Sequence, residues 1–94
     1  PGEILKEEFL IPLDISIYKL AKETGLTQTR LGQIVKGNRA ITAETALKLS
    51  KFFNMEAQFW LNLQNFYDLE EASKKFVMEI KNIKTFSGQS KIAV

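Results

Sequence analysis

Residues 16–39 read SIYKLAKETGLTQTRLGQIVKGNR, and this stretch decides the fold. Ser16 and Thr27 are suitable N-caps for two short helices, and Gly25 is a suitable left-handed residue at the end of the first. The pattern therefore predicts helices over 16–24 and 27–36. Only Gly25 and Leu26 separate these two predicted helices. Because so short a joint makes the helix axes cross steeply, the stretch predicts a helix-turn-helix.

The two predicted helices have an apolar side that packs in the joint between them and a polar side that points outward. The apolar positions are Leu20, Ala21, Leu26, Leu31 and Ile34. The outward positions of the second helix are Gln28, Thr29, Gly32, Gln33 and Lys36, with no acid among them. The N-terminal end of such a helix can enter the major groove of DNA and face the base edges. A glutamine suits adenine and a threonine methyl can contact thymine, so we predict base contacts by Gln28, Thr29 and Gln33.

Basic residues cluster in the same stretch. The net charge of the whole chain is only +2, but five basic residues between positions 19 and 39 are offset by Glu23 alone. A local cationic surface attracts phosphate even on a nearly neutral protein. We predict phosphate contacts by Ser16, Thr27, Arg30, Lys36, Asn38 and Arg39. Arg30 points partly sideways, so pairing with a nearby acid is the alternative for it.

The rest of the chain also has helical periodicity and no convincing strand alternation. Further helices are predicted over 2–9, over 42–53 and over about 56–68. Pro12 ends the first of these, and the second is capped by Thr42 and ended by Asn54. A last amphipathic pattern contains Leu69, Ala72, Phe76, Val77, Ile80 and Ile83, and 85–94 loses it. We therefore predict an all-α protein with a five-helix DNA-binding domain over 1–68. Residues 69–94 are predicted to form a C-terminal amphipathic helix and a loose tail.

Composition excludes several classes of function. The chain has 94 residues, 45% of them hydrophobic and 26% charged, with no cysteine and no histidine. It therefore has no disulfide, no zinc site built from these residues and no cysteine nucleophile. Adjacent acids such as Glu7 and Glu8 point to different sides of a helix, so no catalytic pair or metal cluster is apparent. We predict neither an enzyme nor a cofactor.

The chain contains no apolar run of the roughly 20 residues needed to cross a membrane. We therefore expect a cytoplasmic protein with no membrane partner. The first residue is Pro1 rather than methionine. We expect further residues to precede it.

The stretch 16–39 resembles the helix-turn-helix of phage-repressor-like, Xre-type regulators. Residues 1–5, 41–49 and 59–64 are similar to the HigA antitoxins of toxin–antitoxin operons, and the resemblance extends over about 1–72. It implies a homodimer on a palindromic operator in double-stranded DNA. It also implies two activities: repression of its own operon, and binding of a HigB-type toxin, a ribosome-dependent mRNA endonuclease. The alternative is a stand-alone Xre-type repressor without a toxin.

Several positions depart from that family's pattern, among them Ile17 and Gly32. Ile17 stands where related regulators often carry a glutamine that contacts phosphate. Gly32 lies inside the predicted recognition helix, where glycine costs about 1 kcal/mol relative to alanine. It either permits close approach to the groove or is merely tolerated, and the sequence leaves both interpretations open.

Large apolar residues near the C-terminus are candidates for an interface. The predicted dimer or partner surface contains Phe59, Trp60, Leu63, Phe76 and Ile80. Core packing is the alternative for Trp60 and its aromatic neighbours. The apolar stripe from Phe76 to Ile83 can bind a toxin, extend a dimer or fold back on the domain, and the sequence does not rank these three.

Overall fold

The computed structural model describes residues 1–87, and the regular secondary structure in it is entirely helical. The helices are α1 (Gly2–Ile4), α2 (Ile17–Thr24), α3 (Gln28–Val35), α4 (Ala43–Phe53), α5 (Ala57–Lys75) and α6 (Val77–Lys81). A π-helical segment, Leu5–Leu10, continues directly from α1. No strand occurs within residues 1–87, so the predicted all-α class is confirmed.

Local capping chemistry sets the ends of the central helices. The side-chain oxygens of Ser16 and Thr27 each accept a hydrogen bond of 3.0 Å from the backbone N–H three residues later. Thr42 accepts the same type of bond from the N–H of Thr45 at 3.4 Å. α2 ends at Gly25, whose φ of 80° is left-handed, and α4 ends at Asn54, whose φ is 55°. These predicted helix caps and ends are confirmed.

The core lies where the first five helices meet, and Trp60 is at its centre. Trp60 has no exposed surface, and the ring centroids of Phe9 and Phe59 each lie 5.0 Å from that of Trp60. The placement of Trp60 on a dimer or partner surface is therefore wrong, because its side chain is enclosed by its own chain. The other fully or nearly buried apolar residues are Leu5, Leu10, Leu20, Ala21, Leu26, Leu31, Ile34, Ile41, Ala46 and Leu49.

α5 is longer than the sequence pattern predicts. The predicted end near Asp68 is wrong, because the helix continues without a break to Lys75 and the chain then turns at Phe76 into the short α6. Residues 69–75 are thus part of α5 rather than the start of a separate helix. Of the tail predicted over 85–94, residues 88–94 lie outside the described part of the chain.

From Asn65 to residue 87 every residue is exposed, and we call this segment the C-terminal arm. The described structure measures 55 × 25 × 21 Å, and its radius of gyration is 17.4 Å. A compact domain of this length would have a radius of gyration of about 12 Å. The arm therefore does not fold back on the domain, which removes one of the three alternatives for the stripe from Phe76 to Ile83.

The loop between α3 and α4 is fixed by Gln64 of α5. The buried side-chain oxygen of Gln64 accepts a hydrogen bond of 2.8 Å from the backbone N–H of Ile41. Its amide nitrogen donates to Asp68 Oδ1 at 2.9 Å. Because a buried N–H without an acceptor is costly, this single side chain holds the segment that follows the second helix of the helix-turn-helix.

Replacing Gln64 with leucine should lower the free energy of unfolding by about 1–3 kcal/mol, because the Ile41 N–H stays buried without an acceptor. Gln58→Leu is the matched control on the same helix. Gln58 is exposed and bonds only Asn62, so its replacement should change stability by no more than about 0.5 kcal/mol. Urea unfolding measures both variants. Equal losses would contradict a specific role for Gln64.

Candidate nucleic-acid interface

The joint between α2 and α3 is a tight turn closed by buried apolar side chains. Leu20 of α2 and Leu31 of α3 have no exposed surface, and Leu26 in the turn is 4% exposed. Thr24 Oγ1 donates to the Leu20 carbonyl at 2.6 Å and accepts from the Leu26 N–H at 3.3 Å. Packing and hydrogen bonds together fix the angle between the two helices. This is the predicted helix-turn-helix, with α3 as its second helix.

The outer face of α3 is polar, exposed and free of acids. Gln28, Thr29 and Gln33 are all exposed, as is Lys36 directly after the helix. Their spacing of one, four and three residues places them on one side of the helix. The opposite side is buried through Leu31. The structure therefore brings the three predicted base-contacting residues together on one surface that no other part of residues 1–87 covers.

Gln33 and Arg39 were predicted to act separately but are bonded to each other. Arg39 Nη1 donates to Gln33 Oε1 at 3.1 Å, and both residues are exposed. The bond occupies the amide oxygen of Gln33 and leaves its NH2 group to donate outward. A glutamine in this state cannot pair with adenine in the two-bond manner, which needs both a donor and an acceptor. Gln28 has no such partner within residues 1–87, so there both its donor and its acceptor stay available.

Arg30 pairs with an acid, which was one of its two predicted roles. Its Nη1 lies 3.3 Å from Glu44 Oε1, and Lys48 Nζ lies 2.8 Å from Glu44 Oε2. The hydrogen bond and charge of Lys48, followed by the charge of Arg30, lower the pKa of Glu44. α4 thereby holds the side chain of an α3 residue. The pair is partly exposed, with 28% of the Arg30 side chain accessible, so Arg30 also remains open to solvent.

The remaining predicted phosphate contacts lie at the two ends of α3 and at the start of α2. Ser16 and Thr27 serve as the caps described above and are exposed. Lys36 and Asn38 are exposed in the turn after α3. This turn is closed by the Asn38 N–H, which donates to the Gln33 carbonyl at 2.8 Å, and by Gly37, whose φ is 83°.

Tyr18 is a candidate phosphate-contacting residue that the sequence analysis did not predict. It lies in the first turn of α2, is 61% exposed, and lines a groove of about 380 Å³ together with Lys22, Thr27 and Gln28. Ile17, by contrast, is partly buried against the core and presents no polar group. The available signal was the spacing of Tyr18 and Lys22, four residues apart, which places both on the side of α2 that borders the start of α3.

A larger cleft of about 600 Å³ lies behind α3, between the N-terminus and α5. Lys36 and Arg39 reach it, but Glu3, Glu7 and Asp68 line it as well. Mixed charge of this kind does not favour phosphate. Within residues 1–87 there is also no group of three acids that could hold a metal ion, and no helix long and apolar enough to cross a membrane.

The sequence model of the helix-turn-helix family matches residues 5–60, more than half of the chain. The chain therefore belongs to the helix-turn-helix family, in the Xre-type group that includes HigA antitoxins. It is 34% identical over 83 residues to antitoxin HigA-1 of Vibrio cholerae, covering 88% of this chain and 78% of that protein. The resemblance predicted from the sequence is confirmed.

Two solved structures from Pseudomonas aeruginosa are also similar. Antitoxin HigA with the higBA promoter has a TM-score of 0.88 and 38% identity, covering 92% of this chain and 95% of that chain. A protein in complex with its operator DNA has a TM-score of 0.89 and 37% identity, with 94% of each chain covered. The family consists of DNA-binding antitoxins and transcription regulators and not of enzymes, so the prediction that the chain is not an enzyme is confirmed.

Proposed function

We propose that the protein is the antitoxin of a toxin–antitoxin module. In this proposal a homodimer represses its own operon by binding operator DNA, and the protein neutralises a HigB-type mRNA endonuclease. The observation that carries the DNA-binding part is the acid-free, exposed polar face of α3 on a rigid joint. The stand-alone repressor without a toxin is the alternative. Both functions belong in the cytoplasm.

On DNA, the first turn of α3 would lie in the major groove, with Gln28 and Thr29 at the base edges and Gln33 one turn further on. The bidentate capacity of Gln28 makes it the main source of base discrimination. The proposed phosphate contacts surround this face: Ser16, Thr27, Arg30, Lys36, Asn38 and Arg39, with Tyr18 added on the side of α2. Phosphate contacts set the register, whereas base contacts select the sequence.

The C-terminal arm supports the homodimer. Phe59 and Leu63 are partly exposed on α5 just before the arm, and in the arm Phe76 is 41% and Ile80 54% exposed. A second copy of the chain is the occupant we propose, because a two-fold interface is self-complementary and lets identical residues cover one another. Two copies would also present two α3 helices to the two halves of a palindromic operator.

Toxin binding is supported by family membership and by the similarity to proteins named as antitoxins. The proposed partner is a HigB-type toxin. The C-terminal arm could bind such a partner while α3 stays free, because the exposed polar face of α3 and the arm are different parts of the molecule. This separation allows one chain to carry both functions.

Gln28→Ala should weaken binding to the cognate operator by about 1–3 kcal/mol and relax base preference at one position. Lys36→Gln should weaken binding to all sequences evenly and reduce the salt dependence by about one phosphate contact. Lys36 is a cleaner comparison than Arg39, whose loss also frees Gln33. Titrations against single-base operator variants measure both effects. An even loss across all sequences for Gln28→Ala would exclude base readout by that residue.

Ile80→Glu should convert the proposed dimer into a monomer, because a carboxylate in an apolar interface has no partner. Its operator affinity should also fall, because the two half-sites are no longer bound together. Leu47→Glu on α4 is the control, since Leu47 is 62% exposed outside the arm. Light scattering after size-exclusion chromatography gives the mass. An unchanged mass for Ile80→Glu would contradict the arm as the dimer interface.

The toxin proposal is tested with the small basic endonuclease that it requires beside this gene. Expressed alone, that neighbour should stop growth and degrade mRNA on ribosomes. Coexpression with this chain should restore growth, and the two proteins should copurify. A neighbour that has no such activity, or that does not bind this chain, would leave the stand-alone repressor as the function.

A further inference from the structure

Gly32 is a glycine that the folded chain does not need. It is a residue of α3, and its φ is not among the positive values found at Gly25 and Gly37. Beyond its chain neighbours and the backbone of its own helix turn, a Cβ atom built at Gly32 meets no atom within 4 Å. Neither the backbone conformation nor the packing therefore requires glycine, although glycine destabilises a helix relative to alanine.

Gly32 lies on the side of α3 that carries the predicted DNA-contacting residues. Gly32 is one turn after Gln28 and one turn before Lys36, and it directly precedes Gln33. It therefore lies between Gln28 and Lys36 on the polar face, and it is itself half-buried. The face consequently has a gap between these two side chains, where the helix has no side chain beyond its backbone.

We propose that Gly32 is a close-approach position for DNA, where the bare backbone of α3 lies against the base edges. This inference rests on the proposed DNA-binding function. The major groove is about 12 Å wide, and a helix with its side chains is about 10–12 Å across. With so little clearance, the absence of one central side chain lets the helix sit deeper. Gln28 and Gln33 then reach the bases from closer range.

The proposal makes stability and affinity change in opposite directions. Gly32→Ala should raise the melting temperature of the free protein by several degrees, because alanine favours the helix and open space receives the methyl group. The same variant should weaken DNA binding about tenfold or more, because the methyl group occupies the space of the base edges. Gly32→Leu should weaken binding further, since its side chain is larger.

The DNA probe is a duplex that the wild-type protein selects from a random-sequence library, and the full chain is used throughout. Thermal unfolding without DNA and binding titrations with it are measured for the wild type, Gly32→Ala and Gly32→Leu. A higher melting temperature with weaker binding, graded by side-chain size, supports the proposal. Unchanged or tighter binding by Gly32→Ala would overturn it.

Failure of the close-approach proposal can be distinguished from failure of the proposed DNA-binding function. A lower melting temperature for Gly32→Ala would overturn the proposal, because the fold itself would then require the glycine. A wild-type protein that selects no duplex would instead refute the proposed DNA-binding function. When the wild type binds and Gln28→Ala loses base preference, a Gly32→Ala variant with full affinity refutes only the close approach.

Discussion

The fixed angle between α2 and α3 is the constraint on which the rest of the structure depends. A three-residue joint with Gly25 in a left-handed conformation leaves the chain few ways to connect the helices. The complete burial of Leu20 and Leu31 then selects one of them. Because these side chains are enclosed on one side, the polar side chains of α3 must point outward. The exposed polar face of α3 thus results from the close packing of its opposite, apolar side.

Contacts from distant parts of the chain hold α3 in addition to this joint. At its C-terminal end, a Cβ at Gly2 would collide with the Ile34 carbonyl, so the start of the chain lies directly against the helix. Glu44 of α4 pairs with Arg30, and Gln64 of α5 fixes the loop that follows. The helix is therefore positioned from several sides, and its exposed face keeps a defined orientation. This rigidity suits the proposed role of the face, which would have to match the spacing of base pairs.

The sequence predicts those parts of the structure that depend on local chemistry. Caps such as Ser16 and Thr27 and the helix end at Gly25 depend only on neighbouring residues, so the sequence alone predicts them. Burial of Trp60 was not decided by its periodicity, because an aromatic stripe looks the same in a core and in an interface. The pairing of Arg30 with Glu44 joins two helices, and no pattern within either helix specifies it. α5 passes Asp68 because no residue there breaks a helix, so the assumed boundary had no physical cause.

The C-terminal arm has an evolutionary consequence. From Asn65 to residue 87 each residue is exposed, whereas the aromatic core around Trp60 is complete without them. Substitutions in the arm therefore cost the folded domain little free energy. Changes there can therefore alter what the arm binds, while the fold that holds the exposed polar face of α3 is kept.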